Sequence, residues 1–178
     1  GVAQYRQYAD DIYDSGAHLL AIINDILDLS KVEAGKFDLN ETEIQVPELC
    51  RSVIHIVKGR ADEAGIKLLK GLPEAPPHLL ADSRSLKQML LNLMSNAIKF
   101  TSSGDTVDLV ASITEDGGFR FDVRDTGIGI AEENIKTVLS PFGQVDTAHT
   151  RDHQGTGLGL PLVKAFIEMH GGRIEIDF

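Results

Sequence analysis

A single cysteine, Cys50, stands among 178 residues. That excludes an internal disulfide framework and a zinc site built on several cysteines. No window supplies the long uncharged apolar run that a membrane-spanning helix needs. Arg6, Asp10 and Asp11 interrupt the first residues, so nothing there reads as a signal peptide. Basic residues number 17 against 27 acidic ones, a formal net charge of −10. A nucleic-acid backbone as main partner wants a basic face, so that class is set aside. Hydrophobic residues at 42% and charged residues at 25% are ordinary globular values and argue against wholesale disorder. The length suits one domain with an appendage, and the expected setting is soluble, reducing and cytoplasmic.

The stretch from Tyr5 to Glu33 has no proline and one interior glycine, Gly16. Ile12, Leu19, Ile22, Ile23, Ile26, Leu29 and Val32 recur at helical spacing, with Asp10, Asp11, Asp14, Asp25 and Asp28 largely off that stripe. Seven-residue steps, Ile12–Leu19–Ile26 and Tyr8–Ser15–Ile22–Leu29, fit a bundle seam. Such a seam cannot bury itself, so this helix is expected to pair with another copy of the chain.

After Gly35 the texture changes. Phe37 and Leu39 alternate with polar neighbours as a short strand does. Pro47 then opens a second helix that runs to about Glu63 and ends at Gly65. A strand is expected over Ile66 to Leu72, and a loop at Pro73, Pro76 and Pro77. Asp82 is placed as the N-cap of a helix carrying Leu86, Met89, Leu90, Leu93 and Ile98, ended by Thr101 to Gly104. Strands follow over Thr106 to Glu115 and Phe119 to Asp125, joined at Asp116-Gly117-Gly118. A short helix near Glu132 to Leu139, a helix from about Gly157 to His170 and a strand from Arg173 to Phe178 complete the reading. The class is α+β, a layered sandwich of helices on mostly neighbouring strands.

Four segments carry candidate chemistry. Asn92 and Asn96 are one helical turn apart, and Lys99 lies close to the same face. Two amide oxygens beside an ammonium suit a magnesium ion and phosphates; the bland alternative is a solvated polar face. Asp125-Thr126-Gly127-Ile128-Gly129 follows a strand, so its carboxylate could accept from an exocyclic amine while the glycines let backbone pass close to a ring. A capped tight turn explains it equally. Gly155-Thr156-Gly157-Leu158-Gly159 opens a helix and exposes N–H groups to an anion. It matches neither the dinucleotide fingerprint nor the P-loop, and a plain glycine hinge remains open. Between these two, Phe142 to Gln154 reads as a flap. His149 and His153, with Asp146 and Asp152, have metal-ligand spacing on a helix, but solvated flap residues are the preferred reading.

Taken in order and spacing, Asn92/Asn96 with Lys99, Asp125-x-Gly127-x-Gly129, Pro141-Phe142 and Gly155-x-Gly157-x-Gly159 resemble a known set. They are similar to the N, G1, F and G2 boxes of the ATP-binding catalytic domain of bacterial sensor histidine kinases, in the GHKL superfamily. The flanks Leu86-Lys87-Gln88, Thr101, Lys164 and Glu168-Met169-His170-Gly171-Gly172 agree. Leu20 to Phe37 looks like the second helix of that family's dimerisation domain.

The resemblance implies a Bergerat-type α/β sandwich, a mixed sheet packed on helices, over residues 36–178 but lacking its usual last strand. Residues 1–35 would be the second helix of the dimerisation hairpin. It implies ATP and Mg²⁺ as cofactors. Asp125 would take the adenine amine, with Gly127, Gly129 and Phe100 near adenine and sugar. Asn96, assisted by Asn92, would hold the metal, and Lys99 would meet the phosphates. Phe142 would anchor the lid and Gly155, Gly157 and Gly159 would approach the triphosphate, with Arg84 and Arg151 as further phosphate or lid partners. The implied partners are the dimerisation-domain histidine of the parent kinase and a response-regulator receiver domain. The related hydrolases place a water-activating glutamate where Asn92 stands, so steady hydrolysis is not expected. None of His18, His55, His78, His149, His153 or His170 has the phosphoacceptor context, and Ser140 replaces a common glutamate. The chain is therefore expected to be a kinase fragment that does not phosphorylate itself. A non-catalytic nucleotide-binding or docking module is the alternative, and a GHKL-type ATPase the third.

Overall fold

The computed structural model describes residues 2–72, 78–115, 117–145 and 155–177. The prolines 73, 76 and 77, Asp116 of the expected turn, the flap residues 146–154 and Phe178 lie outside the described residues, as does the side chain of His18. The chain divides into two compact units, Gly1–Phe37 and Asp38–Phe178.

The first unit is one helix, α1 (Val2–Glu33). Its last turn closes with Lys36 N–H donating to Lys31 O at 2.8 Å and Gly35 N–H to Val32 O at 2.9 Å, the double closure of a Schellman motif. Tyr5, Tyr8, Ile12, Tyr13, Leu19, Leu20, Ile23, Ile26 and Leu27 are exposed along it. No helix among the described residues is long and apolar enough to cross a membrane.

The second unit runs β1 (Glu41–Ile44), α2 (Val46–Ala64), β2 (Lys67–Gly71), β3 (Leu79–Asp82), α3 (Ser83–Phe100), β4 (Thr106–Ile113), β5 (Phe119–Asp125), a 3-10 turn at Glu132–Asn134, α4 (Ile135–Val138) and α5 (Gly159–Met169). Strands β1 and β3 form a two-stranded antiparallel sheet with Glu41 opposite Asp82 and Ile44 opposite Leu79. The second sheet has the order β2-β4-β5 and is mixed. Its β2 is parallel to β4, with Lys67 opposite Thr106, and β4 is antiparallel to β5, with Val107 opposite Asp125. A parallel pair needs a crossover, and α3 lies within the one between β2 and β4. Helices α3 and α5 pack on each other, and α3 also meets α2 and the sheet. The core joins Val53 and Val57 of α2, Leu90 and Met94 of α3, Val107 and Leu109 of β4, and Leu162 and Phe166 of α5. Each such side chain contributes ~1.5–3 kcal/mol by leaving water.

Helix α2 has proline in its first turn and stops at Gly65, and Asp82 caps α3 by accepting the Ser85 N–H, as the sequence predicts. Three elements differ from expectation. The strand expected at Phe37 and Leu39 lies further on, at Glu41–Ile44, because that is where β3 offers a ladder. β3 itself was not expected: in Leu79–Asp82 only Ala81 and Asp82 are buried, so no alternation marks it. No strand forms over Arg173 to Asp177. Alternation is present there, but no ladder is, and Arg173 Nε pairs locally with Glu175 Oε1 at 2.6 Å. Three elements are simply shorter than expected: β2 spans Lys67–Gly71, β4 ends at Ile113 and α5 starts at Gly159.

Candidate functional site

Helix α3 presents two faces. Leu86, Met89, Leu90, Met94 and Ala97 are buried. Asn92, Asn96 and Lys99, at steps of four and three, form a separate half-buried stripe. The start of α5 lies against that stripe. Asn92 Nδ2 donates to Gly159 O at 3.4 Å. A Cβ placed on Gly159 would stand 3.7 Å from Asn92 Cγ and 3.8 Å from Asn96 Nδ2. Lys99 Nζ would be 3.1 Å from a Cβ on Gly155, and it sits 5.0 Å from the centroid of the Phe100 ring. Burial lowers the Lys99 pKa, since the ammonium loses water there. An anion at this point would restore that lost stabilisation. Asn92, Asn96, Lys99, Gly155 and Gly159 are thus brought together.

A second cluster forms where β5 ends. Gly127 N–H donates to Asp125 Oδ1 at 2.9 Å, and Ile128 N–H to Phe100 O at 3.3 Å. A Cβ on Gly127 would collide with the Phe100 carbonyl oxygen, so only glycine lets the chain pass. Asp125 is exposed, and its Oδ1 is held by the Gly127 N–H. An ionised carboxylate has two acceptor oxygens, so Oδ2 is the second acceptor of this exposed residue. Gly129 has φ 67 and open space where a side chain would be. Because Phe100 follows Lys99, the carboxylate cluster and the ammonium cluster adjoin at the end of α3.

Phe142 has φ 62, the only positive value for a non-glycine residue among the described ones, and the residue is 62% exposed. Its N–H donates to Gly157 O at 3.0 Å, and a Cβ on Gly157 would stand 2.7 Å from the Phe142 carbonyl carbon. Backbone of the Pro141-Phe142 segment is thereby fixed on the glycine run. Gln144, which sequence reasoning did not single out, donates from Nε2 to Gly155 O at 2.6 Å. Its place two residues after Phe142 in the flap was the available signal. Thr156 Oγ1 accepts the Leu158 N–H at 3.3 Å, shaping the same run.

The structure places Arg84 elsewhere. It lines a depression at the start of α3 with Asn40, Thr42 and Lys87, two turns of helix before Asn92. Ser140 Oγ donates to Lys136 O at 2.7 Å. Arg151, and the possible metal group of Asp146, His149, Asp152 and His153, lie outside the described residues. Cys50 is fully buried and its thiol is pushed up to about 11 by burial, so it stays protonated and carries no chemistry.

Comparison with known proteins gives one family. The family described as histidine kinase-, DNA gyrase B- and HSP90-like ATPase matches residues 81–177. The chain is similar to the non-motile and phage-resistance protein of Caulobacter vibrioides, with 44% identity over 99% of this chain and 21% of that protein. It is also similar to histidine protein kinase DivJ of Caulobacter vibrioides, with 41% identity over 98% of this chain and 29% of that protein. Among solved structures, full-length ShkA in complex with AMPPNP superposes with a TM-score of 0.80 and 35% identity, covering 93% of this chain and 34% of that one. The chain thus spans between a fifth and a third of the length of these relatives. With its stripe of Asn92, Asn96 and Lys99, its Asp125–Gly127 turn and a match over more than half its length, the chain belongs to the histidine kinase-, DNA gyrase B- and HSP90-like ATPase family.

Proposed function

We propose that this chain is the ATP-binding catalytic part of a two-component sensor histidine kinase, serving transfer of the ATP γ-phosphoryl group to a histidine of the parent protein and onward to a response regulator. The observation that carries this reading is the Asn92–Gly159 contact beside Lys99 and Gly155, two side-chain amides and one cation beside a glycine-lined helix start. Relatives named as histidine kinases and a neighbour holding AMPPNP support it.

Asp125 would orient the purine by accepting its exocyclic amine, beside the Gly127 backbone and Phe100. Lys99 would neutralise phosphate charge, and the backbone at Gly155, Gly157 and Gly159 would approach the triphosphate. Asn96 and Asn92 are hard oxygen donors that fit Mg²⁺, and Asn92 Oδ1 is left over when its Nδ2 binds Gly159. Magnesium would supply charge neutralisation at the β- and γ-phosphates. Transfer then rests on positioning and electrostatics, with no covalent role for the protein. An amide at position 92 cannot act as a general base, which favours a kinase over a hydrolase.

The test supplies Mg-ATP labelled at the γ-position, this chain and a separate dimerisation domain bearing the acceptor histidine. Label on that histidine supports the kinase reading. Binding without transfer favours a docking module, and steady phosphate release favours an ATPase.

The domain division belongs to the same reading. We assign α1 as the second helix of a dimerisation hairpin, with the exposed stripe of Ile12, Leu19 and Ile26 as its seam. Sedimentation of the chain is expected to show self-association that Ile12→Glu with Ile26→Glu abolishes. A wild-type chain that stays monomeric at high concentration contradicts it.

A further inference from the structure

The end of α5 remote from Gly159 is held by a histidine ring that binds in two directions. His170 Nδ1 lies 2.7 Å from Phe166 O, and Nε2 lies 3.2 Å from the backbone N of Asp82. A carbonyl oxygen only accepts, so Nδ1 carries the proton. The lone pair of Nε2 is then what receives the Asp82 N–H. The two partners together select one neutral tautomer. Asp82 is the N-cap of α3, and its own carboxylate is engaged by Ser85 N at 2.7 Å, Ser85 Oγ at 2.8 Å and Asn40 N at 2.9 Å.

Helix α5 is therefore tied to α3 at both of its own ends: His170 to Asp82 at the N-cap of α3, and Gly159 to Asn92 midway along α3. Between these ties the contact is apolar packing, which resists separation but discriminates weakly against sliding. A directional bond at the far end fixes the axial register. We propose that His170 is a positioning residue: by accepting the Asp82 N–H at Nε2 it sets the register of α5 along α3, and so the place of Gly159 against Asn92 and Asn96. This inference rests on the nucleotide reading of that site.

The test combines ring-nitrogen NMR on the ¹⁵N-labelled chain with Mg-ATP titrations of wild type, His170→Gln and His170→Asn. Glutamine puts an oxygen where Nε2 accepts, whereas asparagine reproduces only the Nδ1 donor. The expected results are a ring protonated at Nδ1, a Gln variant within about twofold of wild-type Kd and an Asn variant weaker by about three- to tenfold. A ring protonated at Nε2, or Gln and Asn variants that bind alike beside a binding wild type, overturns the proposal. Should the Asn variant not fold, the ring spectrum and the Gln variant decide: near-wild-type affinity supports it and clear weakening overturns it. A folded wild type that does not bind Mg-ATP overturns the nucleotide reading first, and the positioning role falls with it, whatever the ring shows.

Discussion

Gly127 donates its N–H to Asp125 Oδ1 at 2.9 Å while its Cα faces the carbonyl oxygen of Phe100 with no room for a Cβ. One residue therefore orients the carboxylate and lets the β5 end close against the end of α3. Gly127→Ala is expected to cost ~1–3 kcal/mol, because the obstacle is backbone that cannot rotate away. For a chain of this length that lowers Tm by roughly 2–12 °C, with loss of nucleotide affinity. Gly59 is the contrast: it lies inside α2 with nothing within 4 Å, so Gly59→Ala is expected to stabilise by ~0.5–1 kcal/mol. Thermal unfolding of both variants checks the pair, and an unaffected Gly127→Ala contradicts the geometry.

Asp82 offers a pH test. Burial pushes its pKa up, but hydrogen bonds from Ser85 N–H, Asn40 N–H and the Ser85 hydroxyl outweigh burial and hold it below the usual carboxylate value. A depressed folded pKa means that the contribution is present above the unfolded pKa of about 3.9 and is lost as pH falls toward the folded one. Asp82→Ala should cost ~1–2 kcal/mol near neutrality through loss of the cap. Its acid unfolding limb should be shallower than that of wild type. Identical acid limbs contradict the assignment.

Lys99 gives the opposite direction. With its pKa lowered by burial, it loses its charge at a lower pH than an ordinary lysine. Mg-ATP affinity should hold through neutral pH and fall as pH rises toward the lysine range. Lys99→Met should be weak throughout and lack that alkaline fall. A wild-type profile matching that of Lys99→Met removes the ammonium from the phosphate site.

How far the sequence could be read follows from what each element rests on. The helices α1, α2 and α3 were legible because caps, glycines and apolar stripes are local signals. The Asn92/Asn96/Lys99 stripe and the Asp125–Gly127 turn were legible for the same reason, each lying within a few residues. β3 was not: its place comes from pairing with β1 and from Asp82 meeting His170, 88 residues away. The 173–177 segment erred in the other direction, since alternation was visible and the missing ladder was not. The Gln144–Gly155 bond joins two sides of the flap, and residue type alone gave no reason to choose Gln144 over its neighbours.

The central claim is that Asp125 and the α3 stripe form an adenine nucleotide site. Calorimetric titration of Mg-ATP into the wild-type chain and into Asp125→Asn tests it most directly. The account predicts binding by wild type and a loss of about tenfold or more in the variant, the scale of a hydrogen bond to a charged acceptor. Equal affinities, or no binding by a folded wild-type chain, would contradict it.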